Sequence, residues 1–245
     1  MFVDVIVPCI GMEKPVTRIP SVQIAWRTFG RTLRHGYENL GTLGIIGVFW
    51  FIGAVLIVTL GPATAALHRI TKPMTEERAA SWRTFRDHFI ADWRWSSLLV
   101  WLLIGVLFLI DINRQFYAQT VSSFLPLFSV FFFVMEVIWF MITLFAMALA
   151  LRQEDKRLRT TLRNTSIIVL ANLPGIVVSM VLLLVSSIVL LILPPLFLLL
   201  PGYIALWTQE NARLLLVAGG HLPEDEFADR AFTFTMPRRS NKKTK

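Results

Sequence analysis

Glu136 is set in Phe131-Phe132-Phe133-Val134-Met135-Glu136-Val137-Ile138-Trp139, near the centre of a long apolar run. A carboxyl there must face a polar cavity or a helix seam, and desolvation favours its protonated form. Two kinds of chemistry are open to it: proton coupling or binding of a polar substrate, and a purely structural hydrogen bond to a neighbouring helix. Asn172 is the expected partner, because Pro174 beside it frees a backbone carbonyl nearby.

The remaining polar residues offer less. Asp111, Asn113 and Arg114 form a short cluster that reads as an interfacial cap or ion pair. His35, His68, His88 and His221 show no metal-ligand spacing, so neither a metal nor a cofactor is expected. No nucleophile elbow, phosphate-binding loop or paired-carboxylate constellation is present, so no catalytic residue is assigned and the chain reads as a non-enzyme.

The elements that carry these residues are membrane helices. Of 245 residues 55% are hydrophobic and only 16% charged, against about a quarter charged in soluble domains. From Asn164 to Gln209 there is no Asp, Glu, Lys, Arg or His, a stretch long enough for two crossings. The net charge of +8 does not indicate nucleic acid, because the basic residues flank apolar runs, as topology signals do. Cys9 is the single cysteine, which excludes an internal disulfide. The first ten residues carry Asp4 and no basic start, unlike a removable signal peptide.

The expected fold is all-α: a polytopic transmembrane helix bundle of about five spans with amphipathic interfacial helices. Residues 1–41 form an N-terminal segment whose Ser21–Asn39 portion reads as a basic amphipathic helix, with Val22, Trp26, Phe29 and Leu33 at helical spacing. The membrane domain covers 42–218, with spans at about 42–60, 95–112, 121–151, 166–192 and 195–216. At 1.5 Å per residue, the 31 residues of 121–151 exceed a hydrocarbon core of about 30 Å, so that helix tilts, protrudes or starts at Pro126. The Pro194-Pro195 pair breaks the fourth span from the fifth. Residues 219–245 form a polar basic tail. No internal repeat stands out.

Between the first two spans, Trp82, Phe85, Phe89 and Trp93 fall on one helical face. This stripe suits the headgroup level of the bilayer; a docking face for a partner is the other reading. The basic segment Arg152–Arg163 is a second contact candidate.

Five full crossings with the N-terminus outside put 18 of the 24 Lys and Arg inside, and the reverse orientation puts 6 there. The first orientation is preferred, yet it leaves the basic N-terminal segment outside. If residues 42–60 were re-entrant, every Lys and Arg except Arg114 would lie inside.

The run Leu43–Leu60, its continuation Gly61-Pro62-Ala63-Thr64-Ala65-Ala66-Leu67 and the segment Phe85-Arg86-Asp87-His88-Phe89 together resemble the YesL-like family of small bacterial membrane proteins of unknown function, over about residues 42–112. Family members often carry Asn-Leu-Trp early in the first span. Here Asn39-Leu40 comes earlier and Trp50 later. The Gly61-Pro62-Ala63-Thr64 motif reads as a helix stop with small residues for close packing, or as a hinge. The resemblance implies a place in the bacterial cytoplasmic membrane and an accessory role in carbohydrate uptake beside ABC-type importers. It supplies no catalytic residue. The expected partners are the lipid bilayer and either importer subunits or a second copy. The Glu-Ala-Ala-x-x-x-Gly signature by which import permeases hold their ATPases is missing, so the chain does not read as the permease. A small proton-linked transporter or channel built on Glu136 is the alternative.

Overall fold

The computed structural model describes residues 21–76, 78, 81–119, 126–153, 157–219 and 222. Among them the chain forms α1 (Ser21–Glu38), α2 (Leu40–Val55), α3 (Leu60–Thr75), α4 (Phe85–Ala91), α5 (Trp93–Ala118), α6 (Pro126–Ala150), α7 (Leu158–Ala171), α8 (Leu173–Ile192) and α9 (Leu200–Ala218), with no strand. The all-α membrane bundle is thus observed. Helices α5, α6 and α8 are each long and apolar enough to cross a membrane, and α1 with α2 makes a fourth if the bent pair counts as one span.

The helices follow one plan three times. A short amphipathic helix meets an elbow, an apolar helix leaves the elbow, and a third helix returns. The elbows are Asn39, Asp92 and Asn172, with φ, ψ of −119°, 22°, then −110°, 14°, then −117°, 22°. These torsions lie outside the helical basin, near the bridge region that Asn and Asp adopt readily because their short side chains bond local backbone. Asn39 and Asn172 each donate Nδ2 to the carbonyl four residues back, His35 and Ile168, at 2.9 Å. Each elbow carbonyl then accepts the first bond of the next helix, from Leu43, Ser96 and Ile176. Helices α1 and α2 meet at 90°.

The amphipathic helices close the assembly cyclically: α4 packs on α3, α7 on α6 and α1 on α9. The outer helices partly repeat this, with α5 on α3 and α2 on α9. The corresponding α6–α8 seam is open and holds a cavity of about 330 Å³ lined by residues such as Phe140, Leu144, Met180 and Leu184. Helix α9 lies at the centre and is buried from Pro201 to Leu215 except at Ile204. The repeat contradicts the reading of the sequence, in which none stands out. What recurs is backbone geometry set by single Asx residues, and helix lengths differ from unit to unit.

Several expected boundaries shift for the same reason. The run 42–60 is not one helix: α2 ends at Val55, a 3-10 turn spans Ile57–Thr59, and α3 returns alongside α2. Gly61 and Pro62 therefore start a helix rather than stop one, with Pro62 in the first turn where its missing N–H is harmless. The Ser81–Trp95 stretch is split by Asp92, so Trp93 belongs to the span α5. Helix α6 begins at Pro126, and residues 121–125 lie outside the described residues. The expected fourth span is divided at Asn172 between α7 and α8. The break at Pro194 is observed, but the helix after it is an interior one.

Helix α1 buries polar residues beside the apolar Ile24 and Ala25. Val22, Trp26 and Leu33 face outward, whereas Thr28, Arg31, Thr32 and His35 are buried. In a lipid environment apolar groups gain nothing by turning inward, and polar groups find partners only in the protein interior.

Candidate functional site: a buried polar junction

The plan brings the ends of the return helices together. His68 of α3 meets Gln209 of α9, and Thr75 at the end of α3 meets Arg213. Arg152, just past the end of α6, reaches both helices. Helix C-termini carry unsatisfied carbonyls and partial negative charge, and cations converge on them. Lys72 donates to the Leu151 carbonyl at 3.1 Å and Arg213 to the Thr75 carbonyl at 2.5 Å, while Arg152 donates to the mid-helix Gln209 carbonyl of α9 at 3.4 Å.

Carboxylates match the other charges. Arg31 of α1 pairs with Glu210 of α9 at 2.5 Å, with both side chains buried. Arg152 lies 3.5 Å from Glu76 and also donates to Gln209 Oε1 and Thr75 Oγ1, each at 3.1 Å. Arg69 pairs with the elbow carboxylate of Asp92, fastening α3 to the start of α5. Burial pushes the Arg152 guanidinium below its ordinary range, against the opposing pull of Glu76 and Glu210. On the α8 side, Ser179 Oγ accepts from Trp207 Nε1 at 2.9 Å and from Asn211 Nδ2.

The Gly61-Pro62-Ala63-Thr64 motif lies at the opposite end of α3 from Thr75 and sets how closely α3 approaches α2 and α5. A Cβ on Gly61 would come within 2.6 Å of Ser97 Cα, so only glycine lets α3 lie against the backbone of α5. Ala63 is fully buried against Gly53, and Thr64 Oγ1 accepts from Trp50 Nε1 at 3.1 Å. Small residues for close packing are what the motif supplies.

Residues 43–114 match the model of a family described as Protein of unknown function, DUF624. This agrees with the resemblance to a family of unknown function drawn from the same motif. No curated protein and no solved structure matches the chain. The DUF624 segment covers most of α2, all of α3 and α4, and α5 as far as Arg114. It therefore contains His68, Arg69, Thr75, Glu76 and Asp92 of the junction. Arg31, Arg152, Glu210 and Arg213 come from the chain on either side.

The structure separates the other expected site residues. Glu136 and Asn172 do not meet: Asn172 serves its elbow, and Glu136 Oε2 pairs with Arg114 Nε at 2.7 Å. The expectation of Asn172 as its partner overlooked the reach of Arg114, which also holds Asp111 at 2.6 Å. The aromatic stripe packs on its own chain. Phe49 of α2 stacks between Trp82 and Phe85, Phe85 stacks on Phe89, and Phe89 meets Trp93 edge-on. Phe85 is buried by these contacts, while Trp82 and Trp93 remain exposed. Among the described residues no group of His, Cys, Asp and Glu is arranged to hold a metal.

Sequence reasoning missed the junction, although a signal was visible. Glu210 and Arg213 stand inside the expected span 195–216, and two ionisable residues in such a segment point to a buried polar site. Arg31 and Arg152 carry no comparable local mark.

Proposed function

We propose that this protein is a non-enzymatic membrane scaffold that serves as an accessory component of ABC-type carbohydrate uptake in the bacterial cytoplasmic membrane. The observation that carries the scaffold reading is the matching of charge in the junction. Arg31, Arg69 and Arg152 have carboxylate partners, while Lys72 and Arg213 cap helix ends. Such a network ties the helices together through paired charges, with Arg31 and Glu210 buried and Arg69 and Glu76 partly exposed. The α6–α8 cavity and a second of about 220 Å³, bordered by Leu33, Tyr37 and Leu190, have apolar walls that include neither junction residues nor Glu136. The carbohydrate assignment draws on the YesL-like resemblance alone.

The alternative, a proton-linked transporter or channel working through Glu136, gains less support, because Arg114 engages that carboxylate. Affinity purification of the tagged protein in mild detergent, with uptake assays on a deletion strain, tests the proposal. Co-purification of importer subunits with impaired sugar uptake is expected. Recovery of no transporter subunit, with uptake unchanged, overturns it.

The same reading sets the orientation. Because each unit goes out and returns, both ends of the bundle and the connections after α3 and α6 lie at the junction end. Among the described residues every Lys and Arg except Arg114 then falls on that side, which the positive-inside rule assigns to the cytoplasm.

A further inference from the structure

The three amphipathic helices treat their exposed arginines differently. On α1, Arg34 donates to Glu38 at 2.9 Å. On α4, Arg86 lies 3.6 Å from Asp87, and Arg83 just before the helix sits over the Trp82 ring. Helix α7 has no acidic residue at all. Its Arg159 and Arg163 are both exposed, and among the described residues neither meets a carboxylate. Like charges one turn apart on a helix repel, so the pair favours an anion from outside the chain.

The same side of α7 turns apolar toward its elbow. Residues 159, 163, 167 and 170 share one helical face, and Ile167 and Leu170 are 48% and 52% exposed. The packing of α7 sets the level of each half. Leu158 and Leu162 pack with Ala146, Met147 and Ala150, at the junction end of the span α6. Val169 packs with Met141, Ile142 and Phe145, well inside that span. Arg159 and Leu170 are about 17 Å apart along the helix. The arginines therefore stand at the headgroup level of the junction side, and the two apolar residues reach into the hydrocarbon. Two guanidiniums followed by an apolar stripe match the order of a phospholipid, an anionic head and then a chain. An acidic protein segment would complement only the arginines.

We propose that the outer face of α7 is a binding site for an anionic phospholipid of the junction-side leaflet. Arg159 and Arg163 hold the headgroup phosphate, and Ile167 and Leu170 carry the start of an acyl chain. The site is independent of the accessory reading, and no transporter enters its test.

The test uses the full-length protein with Cys9→Ser and Ala171→Cys, because Ala171 is exposed beside the site but off its stripe. A donor fluorophore on that thiol reports energy transfer in phosphatidylcholine vesicles holding a trace of acceptor-labelled phosphatidylglycerol or acceptor-labelled phosphatidylcholine. Phosphatidylcholine offers the same phosphate, but its choline cancels the charge. Phosphatidylglycerol is expected to be enriched about fivefold over phosphatidylcholine at the label. Arg159→Gln with Arg163→Gln should bring the ratio close to one, with helicity and unfolding unchanged. Arg83→Gln with Arg86→Gln removes the same charge from α4 and should leave most of the enrichment. If the α7 double variant does not fold, the single variants decide, each lowering the enrichment about twofold. No enrichment with both arginines present overturns the proposal, as do equal losses from the α4 and α7 variants. Displacement of the lipid by inorganic phosphate or by soluble polyglutamate makes a free anion or an acidic protein segment the occupant, and overturns it as well.

Discussion

The protein holds charge in two places, and it treats them differently. At the junction, Arg31, Arg69, Lys72, Arg152 and Arg213 face the carboxylates of Glu76, Asp92 and Glu210 and the carbonyl ends of helices, in a setting contributed by α1, α3, α6 and α9. On the distal α5–α6 hairpin, about 33 Å of helix separates Arg114 from the elbow at Asp92. There one Arg serves two carboxylates, and only two helices shield them. Charge inside a membrane protein is stable where helix ends and counter-ions meet it from several sides.

The contrast can be broken first at its strongest point. Removing one member of the Arg31–Glu210 pair strands a buried charge, so Arg31→Ala or Glu210→Ala should destabilise the protein by about 3–5 kcal/mol, read from unfolding in detergent. Replacing both with Met should recover most of that loss. If the double variant is as unstable as the sum of the singles, the pair is not coupled as described. Next, Gly61→Leu should cost about 1–3 kcal/mol by forcing α3 off the α5 backbone. Gly105→Leu, with open space around its absent Cβ on the distal hairpin, should leave stability unchanged. Equal effects would remove the distinction between a packed and an uncovered region.

The elbows come third. Asn39→Ala and Asn172→Ala each remove one side-chain bond to a helix carbonyl and should cost about 0.5–1.5 kcal/mol in the same measurement. The smallest effect is expected at Glu136→Gln, which should leave the unfolding transition in place. A sugar-uptake or proton-flux defect in that folded variant would revive the transporter reading.

Much of this architecture was legible in the sequence. The apolar runs, the helix start at Pro126 and the break at Pro194 all follow from composition and proline chemistry. The α2–α3 hairpin was harder to see. No charge separates Leu43 from Leu67, so hydropathy reads a crossing where Leu56–Thr59 turn the chain back. The repeat is fainter still. Units one and three share Thr28, Thr32, Asn39 and Leu40 with Thr161, Thr165, Asn172 and Leu173 at equal spacing, and all four threonines are fully buried. Unit two keeps only the Asx residue, Asp92. The Glu136–Arg114 pair was missed because the two residues lie on different helices and meet only through the reach of the Arg side chain.

The three closed hairpins make a statement about sidedness that one labelling experiment can check. Cys9 is the chain's own N-terminal thiol, and a Lys245→Cys substitution in a Cys9→Ser background provides its C-terminal counterpart. In intact cells or sealed vesicles of known orientation, a membrane-impermeant maleimide should reach both thiols from the cytoplasmic side and neither from the other. Labelling of Cys9 from the outer face, with position 245 reached only from within, would mean an odd number of crossings and would contradict the fold described here.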